Sequence, residues 1–542
     1  MKRYSYLAVL ALAGSLAAAD FTAEGKLWWA HVQFLADDSL AGRDTGSPGF
    51  QKAVEYVSTA FERMGLKAAG TSGYLQPVNF EVRSFTPAET SLALVRNHKE
   101  EPLVIGTDAN LNLRGEPAAR LEAPMIFVGY GMVIPEAQYD DTAGLDLRGK
   151  IAVYVTPQAP VEASGNMKSH YSSSVERWKA LRRAGAVGVA TITVTRGDDA
   201  GRGGRGGRGG RGGQNDTAET ALAPRHFVLA DRSLRESEGQ KIAISITRAG
   251  AAKFFEASGH TFEEIETLAR ENKPLAHFPM GVSLRSKLAV KRERVVAPNV
   301  VGMLGGSDPQ LKSEYVVMSA HLDHVGIGRP VNGDKIYNGA MDDASGIASV
   351  LEIARLMKES AAHPKRSIIF LAVTGEEKGE LGSRYFAAHP TVPFRQIVAD
   401  INLDMFLPLY PLKVIEVQGL AESTLGEQIA AAAKESGVDV QTDREPDQNR
   451  FIRSDQYSFI RRGLPSLAFK FGYEAGSPDE KTRKDWVRER YHKPSDDLSQ
   501  PVDQEAAARF DRILLGLLER VADDSARPQW NSDSFFKRFA SQ

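Results

Sequence analysis

The chain has 542 residues, room for about three or four domain-sized units at roughly 150 residues each. With 42% hydrophobic and 25% charged residues, its composition excludes a mostly disordered or fibrous chain. A formal net charge of −2 leaves no global basic field that would make nucleic acid the main partner. The lack of cysteine excludes disulfides, thiolate metal sites and a cysteine nucleophile.

The first residues read as a targeting signal. Met1-Lys2-Arg3 is a short basic start, residues 6–16 are mainly apolar, and Ala17-Ala18-Ala19 fits a small-x-small cleavage site before Asp20. The apolar run falls short of the roughly 20 residues that span a bilayer. The expectation is a signal peptide over 1–19, cleavage after Ala19, and a secreted or periplasmic protein with no stable membrane span.

Residues 27–67 predict two helices, the second stopped by Gly65 and the two separated by the turn-rich stretch from Gly42 to Gly49. Residues 74–115 alternate and favour strands. From about 120 the texture changes to short apolar strands, 125–128 and 151–155, a basic helix over 175–184 and a further strand after Gly185. That alternation predicts a separate small unit over 120–235. Inside it, Gly201 to Gly213 interleaves glycine with Arg202, Arg205, Arg208 and Arg211; such a tract cannot bury apolar surface and is expected to be a solvated loop. No aromatic residue interleaves the arginines, which argues against an RNA-binding box.

Beyond about 250, strands at 315–320, 367–373, 397–404, 414–418 and 466–471 alternate with helices at 344–359, 383–389, 425–436 and 505–523. This is an α/β pattern, a largely parallel sheet covered by helices on both faces. Open sheets of this kind place their sites beyond the carboxyl ends of strands. Here those ends carry chemistry: His321-Leu322-Asp323-His324 after the first, Gly375-Glu376-Glu377 after the second, Asp404 after the third, and Tyr491-His492 in a late loop. Between the first two strands, Asp342-Asp343 leads straight into a helix. Imidazoles and carboxylates converging on one edge form an N/O ligand set that suits Zn²⁺ and tolerates Co²⁺ or Mn²⁺. Asp342 has two oxygens and can bridge two ions. Of the adjacent Glu376 and Glu377, one can ligate while its neighbour serves as general base. Asp323, two residues after His321, can accept the other N–H of that imidazole. Taken singly, each group has a plainer explanation: Asp342 and Asp343 as helix caps, Glu376-Glu377 as an exposed loop. His324 is left without a role.

These residues resemble the bacterial M28-family zinc metallopeptidases of the leucyl-aminopeptidase type, with an inserted protease-associated domain. The matching segments are Ala320-His321-Leu322-Asp323-His324, Gly339 to Gly346, Gly375-Glu376-Glu377, Asn402-Leu403-Asp404-Met405 and Tyr491 to Asp496, with Leu40 to Ser47 near the start. Leu147-Arg148-Gly149-Lys150 and Ala184 to Gly188 resemble a protease-associated domain. The resemblance implies a mixed sheet of about eight strands, mostly parallel and sandwiched by helices. It divides the mature chain into peptidase-domain parts over 20–119 and 236–525, the insert over 120–235 and a tail over 526–542. It implies two zinc ions per subunit, one on His321 and Asp404, the other on Glu377 and His492, bridged by Asp342. Asp323 orients His321 and Glu376 is the general base. A peptide substrate is implied, with release of amino-terminal residues. A carboxypeptidase, a glutaminyl cyclase-like enzyme or a non-catalytic binding protein on the same scaffold are the alternatives. A carboxypeptidase would need a cation for the substrate carboxylate, for which Arg453 and Lys470 are the candidates. Two positions depart from the family pattern: Gln456 stands where a histidine is common, and Phe451 where some relatives place a tyrosine. That leaves Arg453 and Tyr457 as candidate oxyanion helpers.

Overall fold

Three runs, Tyr315–His321, Ser367–Val373 and Ile397–Leu403, are mainly apolar, Ser319 bonding the Asp400 and Asn402 side chains among them, and almost every residue is buried. Strands covered on both faces read this way, because neither face can tolerate an unpaired polar group. The computed structural model describes residues 20–194, 225–360 and 363–540. The expected signal peptide over 1–19 and the Gly-Arg tract over 201–213 lie outside the described residues.

The three runs pair in parallel, with Tyr315–His321 in the middle. Ser466–Phe471 continues the sheet in parallel beside Ile397–Leu403, and Val414–Gln418 then pairs antiparallel with it. On the other flank, Val290–Leu304, Leu75–Phe85 and His226–Leu229 follow, all antiparallel. The result is a ten-stranded mixed sheet with a parallel centre, larger than the eight strands implied by resemblance.

Alternate side chains of the central strands feed two cores. Val316, Met318 and Ala320 pack with helices Thr22–Leu35, Pro48–Arg63, Ser345–Glu359 and Gln504–Asp523. Val317, Ile369 and Leu371 pack on the opposite face against Phe386 and Phe459. The period-two alternation of a strand divides the residues this way. Helix Pro48–Arg63 ends at Gly65, whose φ of 68° lies in the left-handed region, and Leu66 N–H returns to the Phe61 carbonyl at 3.0 Å.

A second, eight-stranded sheet uses strands from Ser91–Arg96 to His277–Lys287 and buries its own apolar cluster. Its strands extend beyond the expected 120–235 on both sides, while His226–Leu229, inside those limits, pairs in the large sheet. Periodicity identified the strands but carried no information on which sheet each would join. The tail, unassigned from sequence, packs inward. Trp530, Phe536 and Phe539 cluster with Phe451, Ile452, Tyr457 and Ile460. Arg538 reaches Glu136 and the Tyr171 hydroxyl of the smaller unit. Among the described residues, no helix is long and apolar enough to cross a membrane.

Candidate metal centre

The register of the central strands brings the chemistry together. His321 stands beside Val373, and Ala320 beside Leu403. The residues that follow, Glu376-Glu377 on one side and Asp404 on the other, therefore leave the sheet at the same edge as His321. Asp342 reaches that edge from the connection before helix Ser345–Glu359, and His492 from the loop after helix Pro478–Glu489.

Asp342 is the pivot. Its Oδ1 lies 3.1 Å from His321 Nε2 and its Oδ2 lies 3.2 Å from His492 Nε2. Asp404 Oδ1 is 3.9 Å from His321 Nε2, and Glu377 Oε1 is 3.2 Å from His492 Nε2. His321, Asp342 and Asp404 offer donor atoms all within 4.8 Å of one another, and so do His324, Asp342 and Glu377. All five expected ligands are thus brought to one place. The side chains of Asp404 and His492 are 16% and 12% exposed against 4% or less for the others, so the cluster opens to solvent on their side.

A divalent cation fits this set. His321 Nε2, His492 Nε2 and Asp342 Oδ2 are buried and within 3.2 Å of a partner, yet none is aligned in a hydrogen bond among the described residues. Buried polar groups that served one another would be bonded. Donors close together but not directed at each other are suited to a shared ion, and the mixture of imidazole and carboxylate matches zinc. Burial opposes charge on His321 and His492, but the surrounding Asp342, Asp343, Glu376 and Glu377 carboxylates prevail and hold both imidazoles well above their ordinary range. Burial likewise opposes charge on Asp342 and Glu377, and the neighbouring imidazoles overcome it, holding both carboxyls low.

Glu376 is buried beside the cluster, and its carboxylate acts on the His321 imidazole. Its backbone N–H donates to Asp323 Oδ1 at 3.1 Å. The Asp323 carboxylate, which also accepts from the Thr45 hydroxyl at 2.8 Å, therefore braces Glu376 rather than His321. The His321 Nδ1–H donates instead to the main-chain carbonyl of Asp323 at 2.9 Å. Asp323 is adjacent as expected, but orientation comes from its backbone carbonyl, which takes the Nδ1–H of the ring.

Three further residues support the centre. Asp343 accepts from His321 N at 3.3 Å, Gly346 N at 3.1 Å and Met405 N at 3.1 Å, tying three ligand-bearing segments together. It caps the helix as the plainer explanation held, and does more. Asp496 accepts from Met341 N at 2.9 Å and Asp342 N at 3.1 Å. Arg43 is fully buried and donates to the carbonyls of Leu322 at 3.1 Å, Asn338 at 2.6 Å and Gly339 at 3.0 Å, and to that of Leu35. Burial pulls its guanidinium down to about 10, opposed by Asp496, Asp343 and Asp323, so it stays charged at neutral pH. The only sequence signal for Arg43 was its place in the segment from Leu40 to Ser47; three of the four carbonyls it clamps lie some 300 positions away.

The departures resolve structurally. Gln456 accepts from Asn402 Nδ2 at 2.8 Å and donates to the Phe451 carbonyl at 3.1 Å. The Tyr457 hydroxyl bonds His170 Nδ1 of the smaller unit. Arg453 donates to the Gln448 carbonyl at 2.8 Å, and Lys470 to the Asp404 carbonyl.

The stretch carrying all these ligands, residues 299–518, matches the family model described as Peptidase family M28. Residues 299–518 are a peptidase family M28 domain. A probable leucine aminopeptidase 2 of Aspergillus oryzae is 28% identical to this chain over 263 residues, covering 46% of this chain and 50% of that protein. Carboxypeptidase Q of Xenopus laevis is 29% identical over 152 residues, 28% of this chain and 29% of its own length. The chain thus spans half or less of the length of these curated relatives. Among solved structures, an aminopeptidase from Aneurinibacillus sp. strain AM-1 superposes with a TM-score of 0.52 at 19% identity, over 93% of this chain and 95% of that one. That likeness is one of fold, and it extends the mixed α/β architecture beyond the M28 domain to most of the chain.

Proposed function

We propose that this protein is an exported di-zinc aminopeptidase in which Glu376 is the general base. One observation carries the reading: the two oxygens of Asp342 face two different imidazoles, with Asp404 completing one side and Glu377 the other. His321 and Asp404 would hold one ion, Glu377 and His492 the second, and Asp342 would bridge them. When bound, such ions polarise the scissile carbonyl and lower the pKa of a water toward neutrality. Glu376 takes the proton from the attacking water and returns it to the leaving amine. Asp323 keeps Glu376 in place through its backbone N–H. Substrate approaches from the side of Asp404 and His492, where the cluster is exposed.

The amino-terminal preference draws on the relative named a leucine aminopeptidase. It is also supported by Lys470 and Arg453, the cations a carboxypeptidase would need, being engaged by backbone carbonyls. Export draws on the signal-like start. The smaller sheet, read as a protease-associated insert, is a cap that limits substrate length; it meets the M28 domain through contacts such as Gln158 with Asn449 and Asn166 with Glu422. The test is an assay of the purified chain on amino-acyl chromogenic amides and their N-blocked counterparts. Hydrolysis of unblocked amides alone, abolished by a chelator and restored by zinc, is expected. Cleavage of blocked substrates, or indifference to the chelator, would overturn the reading.

A further inference from the structure

We infer that His324 is a sixth protein donor to the metal pair, on the Glu377 side, so that the two ion positions are unequal. The inference rests on the di-metal reading above. His324 is fully buried three residues after His321, its N–H donating to the Arg43 carbonyl at 3.2 Å. Its Nδ1 lies 2.9 Å from Glu377 Oε1 and 3.9 Å from Asp342 Oδ2. Gly339 makes room for the ring: a Cβ there would stand 2.5 Å from it.

Neither ring nitrogen of His324 has a hydrogen-bond partner among the described residues. Two comparisons show what this means. The buried His170 anchors its Nδ1 on the Tyr457 hydroxyl, as a structural histidine does. His321 anchors one nitrogen on the Asp323 carbonyl and leaves the other unaligned beside Asp342. His324 Nδ1 shares the second pattern, close to two carboxylate oxygens and bonded to neither. The spacing also suits an ion. Bonds of about 2.0–2.2 Å place tetrahedral donors about 3.3–3.6 Å apart. The separations of His324 Nδ1 and His492 Nε2 from Glu377 Oε1 and Asp342 Oδ2 are 2.9, 3.9, 3.2 and 3.2 Å, bracketing that value.

The consequence is an asymmetry. The Asp404 side has three donors, His321, Asp342 and Asp404, and so keeps a place for water or substrate. The Glu377 side has four, Asp342, Glu377, His492 and His324, the complement of closed structural zinc sites. The ion there binds first and leaves last.

The experiment is titration of the metal-stripped full chain with Co²⁺, followed by visible absorption, in the wild type, His324→Ala and the bulkier His324→Gln. The wild type is expected to fill in two steps, and His324→Ala to weaken the tighter step by about tenfold or more, with a changed Co²⁺ band. Thermal unfolding of the metal-stripped variants identifies those that fold, and His324→Gln keeps the test open if His324→Ala does not. Two-ion uptake with affinity and spectrum unchanged in the variants would overturn the role of His324 while leaving the di-metal reading standing. Weaker binding with an unchanged spectrum would also overturn it, reducing His324 to a support. Uptake of fewer than two ions by the wild type would sink the di-metal reading itself.

Discussion

Two clusters of buried charge belong to the same large sheet and are built on opposite principles. At one, Glu416 of strand Val414–Gln418 meets Arg483 of helix Pro478–Glu489 in a two-pronged pair, with Nη2 3.0 Å from Oε1 and Nη1 3.2 Å from Oε2. The same Nη1 also donates to the Phe471 carbonyl at 2.8 Å. Each group is aimed at its partner, and the pair fastens a helix to the strand next to the sheet's edge. At the other, His321, His492 and Asp342 are just as close to neighbours and, His492 apart, about as buried, but the atoms that face one another are not aligned. Proximity alone therefore does not tell a structural ion pair from a candidate ligand set; between these two clusters the difference is the alignment of the facing atoms.

This contrast can be broken experimentally. Asp342→Asn, which alters the donor proposed to be shared by both ion positions, is expected to abolish hydrolysis and strip both ions, read by elemental analysis; retention of both would remove Asp342 from the bridge. Glu376→Gln is expected to lower kcat by roughly 10²–10⁴ with both ions retained, because in the proposed mechanism only the proton carrier is lost; a fall in metal content would place Glu376 among the ligands instead. Arg483→Met leaves Glu416 buried with only Arg450, 3.6 Å away, and the Arg444 backbone N–H at 3.4 Å to offset its charge, which should cost about 3 kcal/mol of unfolding free energy. Its metal content should be unchanged; a variant that unfolds normally but loses an ion would merge the two clusters into one.

The smallest effect lies at the seam with the smaller unit. Burial pulls His170 down to about 4, despite Glu176 nearby, against an ordinary value of 6.5. The folded state thus binds its proton less readily than the unfolded chain. The contribution is fully present above pH 6.5 and lost as the pH falls toward 4, up to about 3 kcal/mol if the shift is fully expressed. His170→Phe should flatten the denaturation profile between pH 6.5 and 4 without touching the metal centre. An unaltered profile would place the acid sensitivity elsewhere.

The residues of the centre were legible because metal chemistry restricts them to a few types, and because strand ends are where an α/β sheet exposes side chains. The apolar runs at 367–373 and 397–403 marked two of those ends directly. Arg43, Asp343 and Asp496 were not legible as supports, since hydrogen bonds to backbone groups leave no compositional trace. His324 lacked a role for a different reason: a third imidazole near a ligand motif is ambiguous until its partners are known.

From the order of its residues alone, this chain determined an α/β pattern, the strand ends that carry imidazole and carboxylate, and the types of ligand available, all of which depend on local periodicity and side-chain chemistry. Only the tertiary structure decided that Asp342 would face both imidazoles, that Asp323 would brace Glu376 instead of His321, and that His226–Leu229 would join the large sheet. Those outcomes depend on strand register and on contacts between segments far apart in the chain, and neither has a signature in local sequence.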